Sequence, residues 1–397
     1  MASDITDELK PDWDPIGDAE LADYPAAHER LRSAAPVAWS NRWGGFYTLM
    51  RYADVVAASR DPETFTATRM TVIPSSPRKG LPRLPLQKDP PESDRYRKGL
   101  NLFFKENKIR TYEPALRALS ERLFADLLAQ DGPIDFARQF AEPFTQGALG
   151  ILIGLDEAEA HEVGRLSHEY VEAVQSEDLP RAGGLSRQVD EFAVRLVENR
   201  QTAPRDPETD IVTGLMGYEA EGGRYTAEEL SGMVRLMLIG GHVVPRNFLC
   251  SVAWHMATHP DHLARRRDDP ALEKPLIEEL LRFYSSNQAL VRVATKDTAI
   301  GDTPIHQGCP VALNFLSANR DADVFDDPMS FVPDRKPNRH VAFGIGPHMC
   351  LGVAMAKLQT RITLDTLLSA PKLALHGDAV WARWTEYGVT SLRLTLR

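Results

Sequence analysis

The chain has 397 residues, of which 43% are apolar, so it is long enough to bury a large hydrophobic core. Its formal charge of −10 argues against a nucleic-acid-binding protein, which would usually carry a basic face. Residues 1–13 are acidic and polar and contain no apolar segment typical of a signal peptide, and apolar runs such as 311–316 are too short to cross a bilayer. We therefore expect a cytoplasmic protein with no membrane or nucleic-acid partner.

The N-terminal part of the sequence predicts a short helix, a small sheet and a long loop. A leader, 1–20, precedes a helix over 25–35, and two strand patterns, 37–39 and 45–49, flank a turn. The segment 69–88 is rich in Pro, Arg and Lys and has little periodicity. We expect it to be a loop, which is either a lid over a binding site or an idle linker.

Helical patterns dominate the middle of the chain. Asp89, in the stretch Asp-Pro-Pro-Glu, is expected to cap a helix with a strongly basic face. Amphipathic helical patterns follow at 116–130, 136–153 and 157–199, with a break at 180–184. Thr226 opens a capping box, and the helical pattern then runs over 227–258. About 32 residues at 1.5 Å each give roughly 48 Å, so this long central helix is expected to run through the core.

The last third of the chain mixes helix and strand patterns. A helix is predicted over 271–284. Strand patterns follow at 288–294, 298–305 and 310–316. The sequence contains no internal repeat and no clean boundary, so we interpret 1–397 as a single large domain, mainly α with small β-sheets.

The segment 343–352 reads Phe-Gly-Ile-Gly-Pro-His-Met-Cys-Leu-Gly and leads into a helical pattern over 351–367. Its glycines allow a tight turn and the close approach of a flat ligand. A helix that begins just after Cys350 would direct its N–H groups and its positive dipole end at the sulfur, which favours the thiolate. A buried thiolate with neither a metal nor a disulfide partner is costly, so this arrangement indicates an iron ligand.

The three cysteines are widely spaced and form no C-x-x-C pair. This spacing disfavours zinc sites, iron–sulfur clusters, disulfides and covalently attached haem. Cys250 and Cys309 are therefore interpreted as buried apolar residues.

The pattern Phe-Gly-x-Gly-x-His-x-Cys-x-Gly resembles the haem-ligand loop of the cytochrome P450 superfamily at every fixed position. The resemblance implies the cytochrome P450 fold and a non-covalently held haem b, with the long helix 227–258 over the haem and Cys350 as the proximal iron ligand. The implied haem contacts in this loop are Phe343, Gly344, His348, Cys350 and Gly352.

Two other stretches resemble family segments that bind the haem propionates. The family pattern Asp-Pro-Pro-Glu-His-x-x-x-Arg is matched at Arg97, but Ser93 stands in the place of the His, so one propionate donor is weaker or missing. Arg292 resembles the strand arginine that reaches a propionate. The implied substrate pocket consists of Ile239, Val243, Ala289, Leu290 and Val291.

A charged triad is also implied by the resemblance. Glu279 and Arg282 are spaced to share one face of a helix. Together with Arg335 they resemble the family's Glu–Arg–Arg triad, whose role is structural. Since such a buried network must be fully satisfied, losing one member is expected to cost several kcal/mol.

The central helix departs from the family pattern. The family segment Ala/Gly-Gly-x-Asp/Glu-Thr supplies an acid and an alcohol that deliver protons during oxygen activation. Gly240 and Gly241 match, but Val243 and Val244 occupy the acid and alcohol positions. Pro245 follows and is expected to kink the helix. Either water or a substrate hydroxyl replaces the missing groups, or the chemistry differs.

The resemblance implies a haem-thiolate oxidoreductase that acts on an apolar or aromatic small molecule as a monooxygenase of secondary metabolism or catabolism. Radical coupling of aromatic rings and peroxide-driven oxidation would also tolerate the two valines. A haem-based sensor or carrier and a haem-free helical scaffold are the non-enzymatic alternatives.

Electrons are expected from a separate ferredoxin or flavodoxin with its reductase, and the family's default state is a monomer. Basic residues on the Cys350 side suggest the docking face for an acidic partner. These residues are Arg95, Lys98, Arg339 and Lys357.

Overall fold

The computed structural model describes residues 10–75 and 80–397, and it confirms a mainly α fold with small β-sheets. The α-helices are α1 (Asp18–Ala22), α2 (Tyr24–Ala34), α3 (Tyr52–Arg60), α4 (Glu92–Phe104), α5 (Glu106–Ile109), α6 (Glu113–Leu128), α7 (Glu142–Ile153), α8 (Glu157–Gln175), α9 (Leu179–Thr202), α10 (Ile211–Gly217), α11 (Ala227–Gly240), α12 (Val243–Thr258), α13 (Pro260–Asp268), α14 (Glu273–Tyr284), α15 (Phe315–Ala318) and α16 (Val353–Leu368). A π-helical turn, Ala137–Ala141, precedes α7.

The strands are short and form four small sheets. They are β1 (Val37–Ser40), β2 (Phe46–Leu49), β3 (Phe65–Thr66), β4 (Ile134–Asp135), β5 (Ala289–Ala294), β6 (Thr298–Ile300), β7 (Thr303–Ile305), β8 (Pro310–Asn314), β9 (Ala374–Leu375), β10 (Val380–Trp381), β11 (Val389–Ser391) and β12 (Arg393–Thr395). The five-stranded sheet has the order β1-β2-β8-β5-β3, in which β2 and β8 are parallel and the other pairs antiparallel. The other sheets are β4-β12-β9, β6-β7 and β10-β11.

Three of the predicted elements need correction. The single strand predicted over 298–305 is a hairpin of β6 and β7, because a two-residue turn at Gly301-Asp302 reverses the chain. The break predicted at 180–184 is wrong: α9 runs through this segment, since a proline in the first turn is compatible with a helix start. Asp89 does not cap α4, which begins after Pro91 with no side-chain cap.

The predicted central helix is divided into α11 and α12. The capping box at Thr226 is present, and its side chain accepts a hydrogen bond from the Glu229 N–H. Gly241 and His242 lie between the two helices. Pro245 has no N–H to donate to the carbonyl four residues earlier, so the helical ladder is interrupted next to the expected kink.

The stretch Ala227–Thr258 is long and apolar enough, by length and composition, to cross a membrane, which the sequence analysis did not anticipate. However, 67% of its most apolar window is buried inside the protein. Its apolar side chains are therefore used by the core, where α11 packs on α9 and α12 packs on α16 and β11.

The segments predicted as leader and loop each contribute buried residues to the core. Residues 1–9 of the leader and 76–79 of the loop lie outside the described residues. Within the leader, Trp13 is buried against Trp384 with ring centroids 5.4 Å apart, so this part belongs to the core. Within the loop, Ile73 and Leu84 are buried, and the Leu84 N–H donates to the Gly232 carbonyl of α11.

Candidate active site

A cavity of about 400 Å³ lies between the segment 343–352 and the break between α11 and α12. Its walls come from the 69–88 loop, α4, α7, α8, β5 and the loop between β10 and β11. Most of the lining is apolar, and the size is typical of a small-molecule site. The described part of the 69–88 loop therefore acts as a wall of a binding site.

The backbone of the segment 343–352 is shaped by its glycines. Gly344 and Gly346 have φ angles of 69° and 78°, which side chains rarely adopt. A Cβ atom on Gly346 would lie 2.8 Å from the carbonyl oxygen of Ser59, so the loop passes close to α3 because this residue has no side chain. The Cys350 N–H donates to the Phe343 carbonyl at 2.9 Å, which closes the loop and presents the sulfur to the cavity.

The Cys350 thiol is accessible because it faces the cavity, while protein surrounds its other sides. Burial raises the pKa of this thiol, and the Gly352 N–H, 3.3 Å from Sγ, and the Arg97 guanidinium act in the opposite direction. A metal cation would reverse the balance, because coordinated thiols lose their proton. Within the described residues no group of three or more His, Cys, Asp or Glu could hold a metal ion, so an iron here needs a prosthetic group.

Two of the predicted haem contacts, Arg97 and His348, line the cavity next to Cys350. Arg97 donates to the Met349 carbonyl at 2.8 Å. His348 Nε2 lies 3.1 Å from Asp89 Oδ1. Although burial opposes the shift, hydrogen bonds from His348, the Thr66 hydroxyl and the Ala67 N–H hold the pKa of Asp89 below its usual value.

The other two predicted propionate donors are buried close to the cavity wall but do not line it. The Ser93 hydroxyl has no hydrogen-bond partner in the described structure. Arg292 forms no direct ion pair among the described residues, although the charge of Asp89 acts on it; its Nη1 donates to the Val291 carbonyl at 2.9 Å, and burial lowers its pKa to about 10. A buried cation without a direct ion pair is costly, so this set fits a cofactor that carries anionic groups beside a thiolate-bound iron.

Phe343, Gly344 and Gly352 also line the cavity, as expected for a flat cofactor lying against this loop. Six of the eight residues assigned to cofactor binding therefore line the cavity, and Ser93 and Arg292 are the two that do not. Together these residues, among them Cys350 and the two arginines, form a donor set that suits haem.

The opposite wall contains the departure from the family pattern. Gly240, Gly241, Val243 and Val244 line the cavity, and Ile239 lies beside them. Neither valine can accept or donate a proton, so this wall offers an apolar surface where an acid and an alcohol would be expected.

The nearest titratable side chains on α11 and α12 point elsewhere. His242 is fully buried, and its Nδ1 lies 3.0 Å from the Thr145 hydroxyl. Burial and the charge of Arg246 lower the pKa of His242 to about 3, so this ring is neutral. Arg246 pairs with Glu142 at 3.3 Å and does not line the cavity.

Of the three β5 residues assigned to the substrate pocket, one lines the cavity. Leu290 lines the cavity, whereas Ala289 and Val291 do not. Successive side chains of a strand point to opposite faces, so these two pack on the other face of the sheet with Phe46 and Trp384. The sequence analysis ignored this alternation.

Several lining residues were not predicted. Helix α7 contributes Ala148, Leu149 and Leu152, and the loop between β10 and β11 contributes Trp384, Thr385 and Glu386. Glu386 is 7% exposed, and its Oε2 accepts a hydrogen bond of 2.6 Å from Asn247. Burial raises the pKa of this carboxyl to about 7. The sequence around Glu386 shows only a turn between two short apolar runs. Acidic residues are common in turns, so this pattern did not indicate a buried carboxyl.

The charged triad comes together beneath the site. Both Glu279 oxygens accept from Arg282, at 2.8 and 2.7 Å, and from Arg335, at 3.1 Å. Glu279 and Arg282 are fully buried. The Val332 N–H and Asn338 also donate to Glu279, so the network joins α14 to the segment that precedes 343–352.

The predicted docking face is only partly available. Arg95 is partly buried and forms an ion pair with Glu229 at 2.5 Å and a cation–π contact with Tyr225. Lys357 pairs with Glu278 at 2.6 Å. Assigning Arg95 to partner docking is therefore wrong, because its charge is already neutralised internally.

Comparisons with known proteins agree with this architecture. The model of the family "Cytochrome P450" matches residues 271–390. The steroid C26-monooxygenase of Mycolicibacterium smegmatis is 30% identical over 93% of this chain and 92% of its own length. The 6-deoxyerythronolide B hydroxylase of Saccharopolyspora erythraea is 31% identical over 74% of this chain and 73% of its own. A solved structure of a P450 EryK mutant with erythromycin B has a TM-score of 0.85, 26% identity, and covers 95% of this chain and 97% of its own.

Proposed function

This chain belongs to the cytochrome P450 family, and from that premise we propose that it inserts one oxygen atom into an apolar or aromatic small molecule of secondary metabolism or catabolism. The family is one of monooxygenase oxidoreductases with a haem cofactor. The observation that carries the proposal is the Cys350 sulfur, which faces an apolar cavity and accepts the Gly352 N–H.

Haem b, held without covalent bonds, is the cofactor we assign to this cavity. Cys350 would bind the iron, and Arg97, Arg292 and His348 would hold the propionates, with Ser93 as a weak additional donor. When bound, the haem supplies oxygen activation, which a thiolate ligand favours by pushing electron density toward the iron.

The protein's own contribution is to orient the substrate and exclude water. The apolar walls from α7, α8 and the 69–88 loop would bind an apolar molecule, while Ile239, Val243 and Val244 would press it toward the haem. With no proton-bearing side chain at the two valine positions, an ordered water or a substrate hydroxyl would supply protons there. The names of the two relatives, a monooxygenase and a hydroxylase, support oxygen insertion.

A second type of reaction is an alternative because of the same two valines. Radical coupling of aromatic rings, or peroxide-driven oxidation without oxygen insertion, does not require the acid and the alcohol. The enzymatic relatives favour either reaction over a haem-based sensor, a carrier or a haem-free scaffold.

For electron supply we propose a separate acidic ferredoxin or flavodoxin with its reductase. The exposed Arg339 and Lys98 are the remaining members of the docking face; Lys98 pairs with Glu221 at 3.6 Å, but its side chain is 62% exposed and solvent weakens this pair. We further propose that the protein acts as a monomer and as a single domain in the cytoplasm.

The test is a mass comparison of products formed under isotopically heavy dioxygen. The holoenzyme, a surrogate ferredoxin system and an extract of the producing cells are incubated together, and new masses are compared with a reaction that lacks reductant. We expect a product that carries one heavy oxygen. A product that has only lost hydrogens, or has joined two molecules, would instead establish coupling.

A further inference from the structure

Among the described residues that line the cavity, Glu386 carries the only carboxyl group. Glu386 lies in the loop between β10 and β11 and is 7% exposed. Its Oε2 accepts from Asn247 Nδ2 at 2.6 Å, and Asn247 lies on α12 just after the two valines. The flanking backbone is fixed as well, because the Gln288 N–H donates to the Thr385 carbonyl and the Tyr387 N–H donates to the Ser286 carbonyl. The carboxyl is therefore held in one place at the cavity wall.

This carboxyl has no positively charged partner among the described residues. Arg246 is the charged group that acts on it, from α12. However, Arg246 uses its nitrogens elsewhere: Nε pairs with Glu142 at 3.3 Å, Nη1 donates to Asn247 at 3.0 Å and Nη2 donates to the Thr390 carbonyl at 3.1 Å. Asn247 thus stands between the two charges and keeps them from forming a direct pair.

Apart from Arg246, the groups next to Glu386 are uncharged. They are Asn247 on α12, the backbone of Asn287 before β5, and Thr385 on its own loop. A buried carboxylate without a counter-charge is strongly disfavoured. Burial accordingly raises the pKa of Glu386 to about 7, against the opposing effects of Asn247 and Arg246, so the carboxyl changes charge near neutral pH.

We propose that Glu386 recognises a cationic nitrogen group, such as a protonated or quaternary amine, on an otherwise apolar substrate. Oε2 is committed to Asn247, and Oε1 has no bond among the described residues and lies at the cavity wall. A ligand cation would supply the counter-charge that the protein does not supply. This inference rests on the proposed function only in that the substrate occupies this cavity.

A purely structural role for Glu386 makes different predictions. In that case the side chain would only tie the β10–β11 loop to α12 through Asn247. Glu386→Gln retains the length of the side chain and an oxygen that accepts from Asn247, so it preserves the tie and removes the charge. Loss of cation binding in this variant therefore separates recognition from scaffolding.

The experiment uses the haem-loaded protein and three probes with the same alkyl chain: decyltrimethylammonium, decanol and decanoate. A quaternary nitrogen has no lone pair, so it does not ligate iron. Binding is measured by calorimetry and, independently, by the shift of the Soret band. We expect the wild type at about pH 8 to bind decyltrimethylammonium about tenfold more tightly than decanol, and Glu386→Gln to lose that preference while binding decanol equally well.

The dependence on pH provides a second readout. The affinity for decyltrimethylammonium should rise as the pH passes through about 7 and level off about one unit higher, where Glu386 is almost fully ionised, while the affinity for decanol stays constant. Arg83→Gln is the matched control, because it removes a charge of opposite sign from the same cavity. It should not weaken binding of the cationic probe.

Equal affinity of the wild type for the ammonium and the alcohol, or an unchanged preference in Glu386→Gln, would overturn the proposal. A preference for decanoate would do the same. These results are independent of the proposed reaction, since calorimetry reports probe binding whether or not oxygen is inserted. Failure of the reaction itself would appear in the heavy-dioxygen comparison and leave the probe affinities unaffected.

Discussion

The two walls of the cavity differ in how closely they follow the family pattern. On the Cys350 side, each fixed position of the segment 343–352 is occupied by the expected residue, and the structure brings the predicted cofactor contacts together. On the α11–α12 side, two valines replace the acid and the alcohol, and a carboxyl from a distant loop lies in the cavity instead. The difference teaches that holding the cofactor and supplying polar groups to the reacting side are encoded by separate stretches of chain.

The largest effect is expected from removing the sulfur on the Cys350 side. Cys350→Ala should abolish turnover, because alanine has no sulfur that could bind the iron as a thiolate. The readout is the spectrum of the reduced carbon monoxide complex together with product formation. Cys309→Ala, which changes a buried cysteine directly before β8, is the control and should keep both. An intact thiolate spectrum in Cys350→Ala would contradict the assignment.

The next largest effect concerns the support beneath the same wall. Glu279→Ala leaves Arg282 and Arg335 without their shared carboxylate, and we expect the free energy of unfolding to fall by about 3–5 kcal/mol. Denaturant unfolding measures this loss. Glu278→Ala is the matched control on the adjacent position: its side chain is 21% exposed and pairs with His340 and Lys357, so a smaller loss is expected. Equal losses of unfolding free energy in the two variants would show that the contribution of the triad to stability does not depend on its burial.

On the opposite wall, we expect the stability effect of Glu386→Gln to depend on pH. The pKa of Glu386 is raised from 4.5 to about 7, so the folded protein binds a proton that the unfolded chain releases, and wild-type stability falls as the pH rises between these values. Because glutamine does not titrate, the variant does not lose stability in this way as the pH rises. The free energy of unfolding of the variant minus that of the wild type should therefore be about 3 kcal/mol larger at about pH 8 than at about pH 4.

Unfolding free energies of both proteins, measured across this range with haem loaded, test the expectation. A difference that does not change with pH would mean that Glu386 titrates normally in the folded protein. It would also remove the support that the pKa lends to cation recognition.

The smallest effect is expected from restoring the alcohol. Val244→Thr should change the amount of product per reductant by less than about twofold if water or substrate already supplies protons at this wall. The measurement compares product with consumed reductant in the wild type and the variant, and Val244→Ala controls for the change in volume. A large gain for the threonine variant alone would show that the native site is short of protons and would favour the coupling reaction.

The sequence was sufficient for the parts of the molecule whose signals are local. The capping box at Thr226, the loop around Cys350 and the spacing of Glu279 with Arg282 depend on neighbouring residues, and each forms as expected. The helix interruption near Pro245 is equally local, since it follows from one missing N–H.

The failures are of a different kind, because they depend on distant contacts. Asp89 lies in a stretch of sequence typical of a helix start, yet its carboxylate contacts groups from two other segments. Arg95 has the appearance of a surface cation, yet Glu229, more than a hundred residues later, neutralises it. Glu386 lies in a turn that gives no sign of burial, and only the packing of that turn against α12 places it in the cavity. No local pattern carries this information.

The carboxylate of Asp89 ties the cavity-lining loop to the cysteine segment. It receives hydrogen bonds from Thr66 and Ala67 at the start of the chain's first long loop and faces His348 in the cysteine segment. Three segments far apart in sequence are thus fastened at one point beside the cofactor site. A change that displaces the loop at this point is therefore expected to displace the cysteine segment with it.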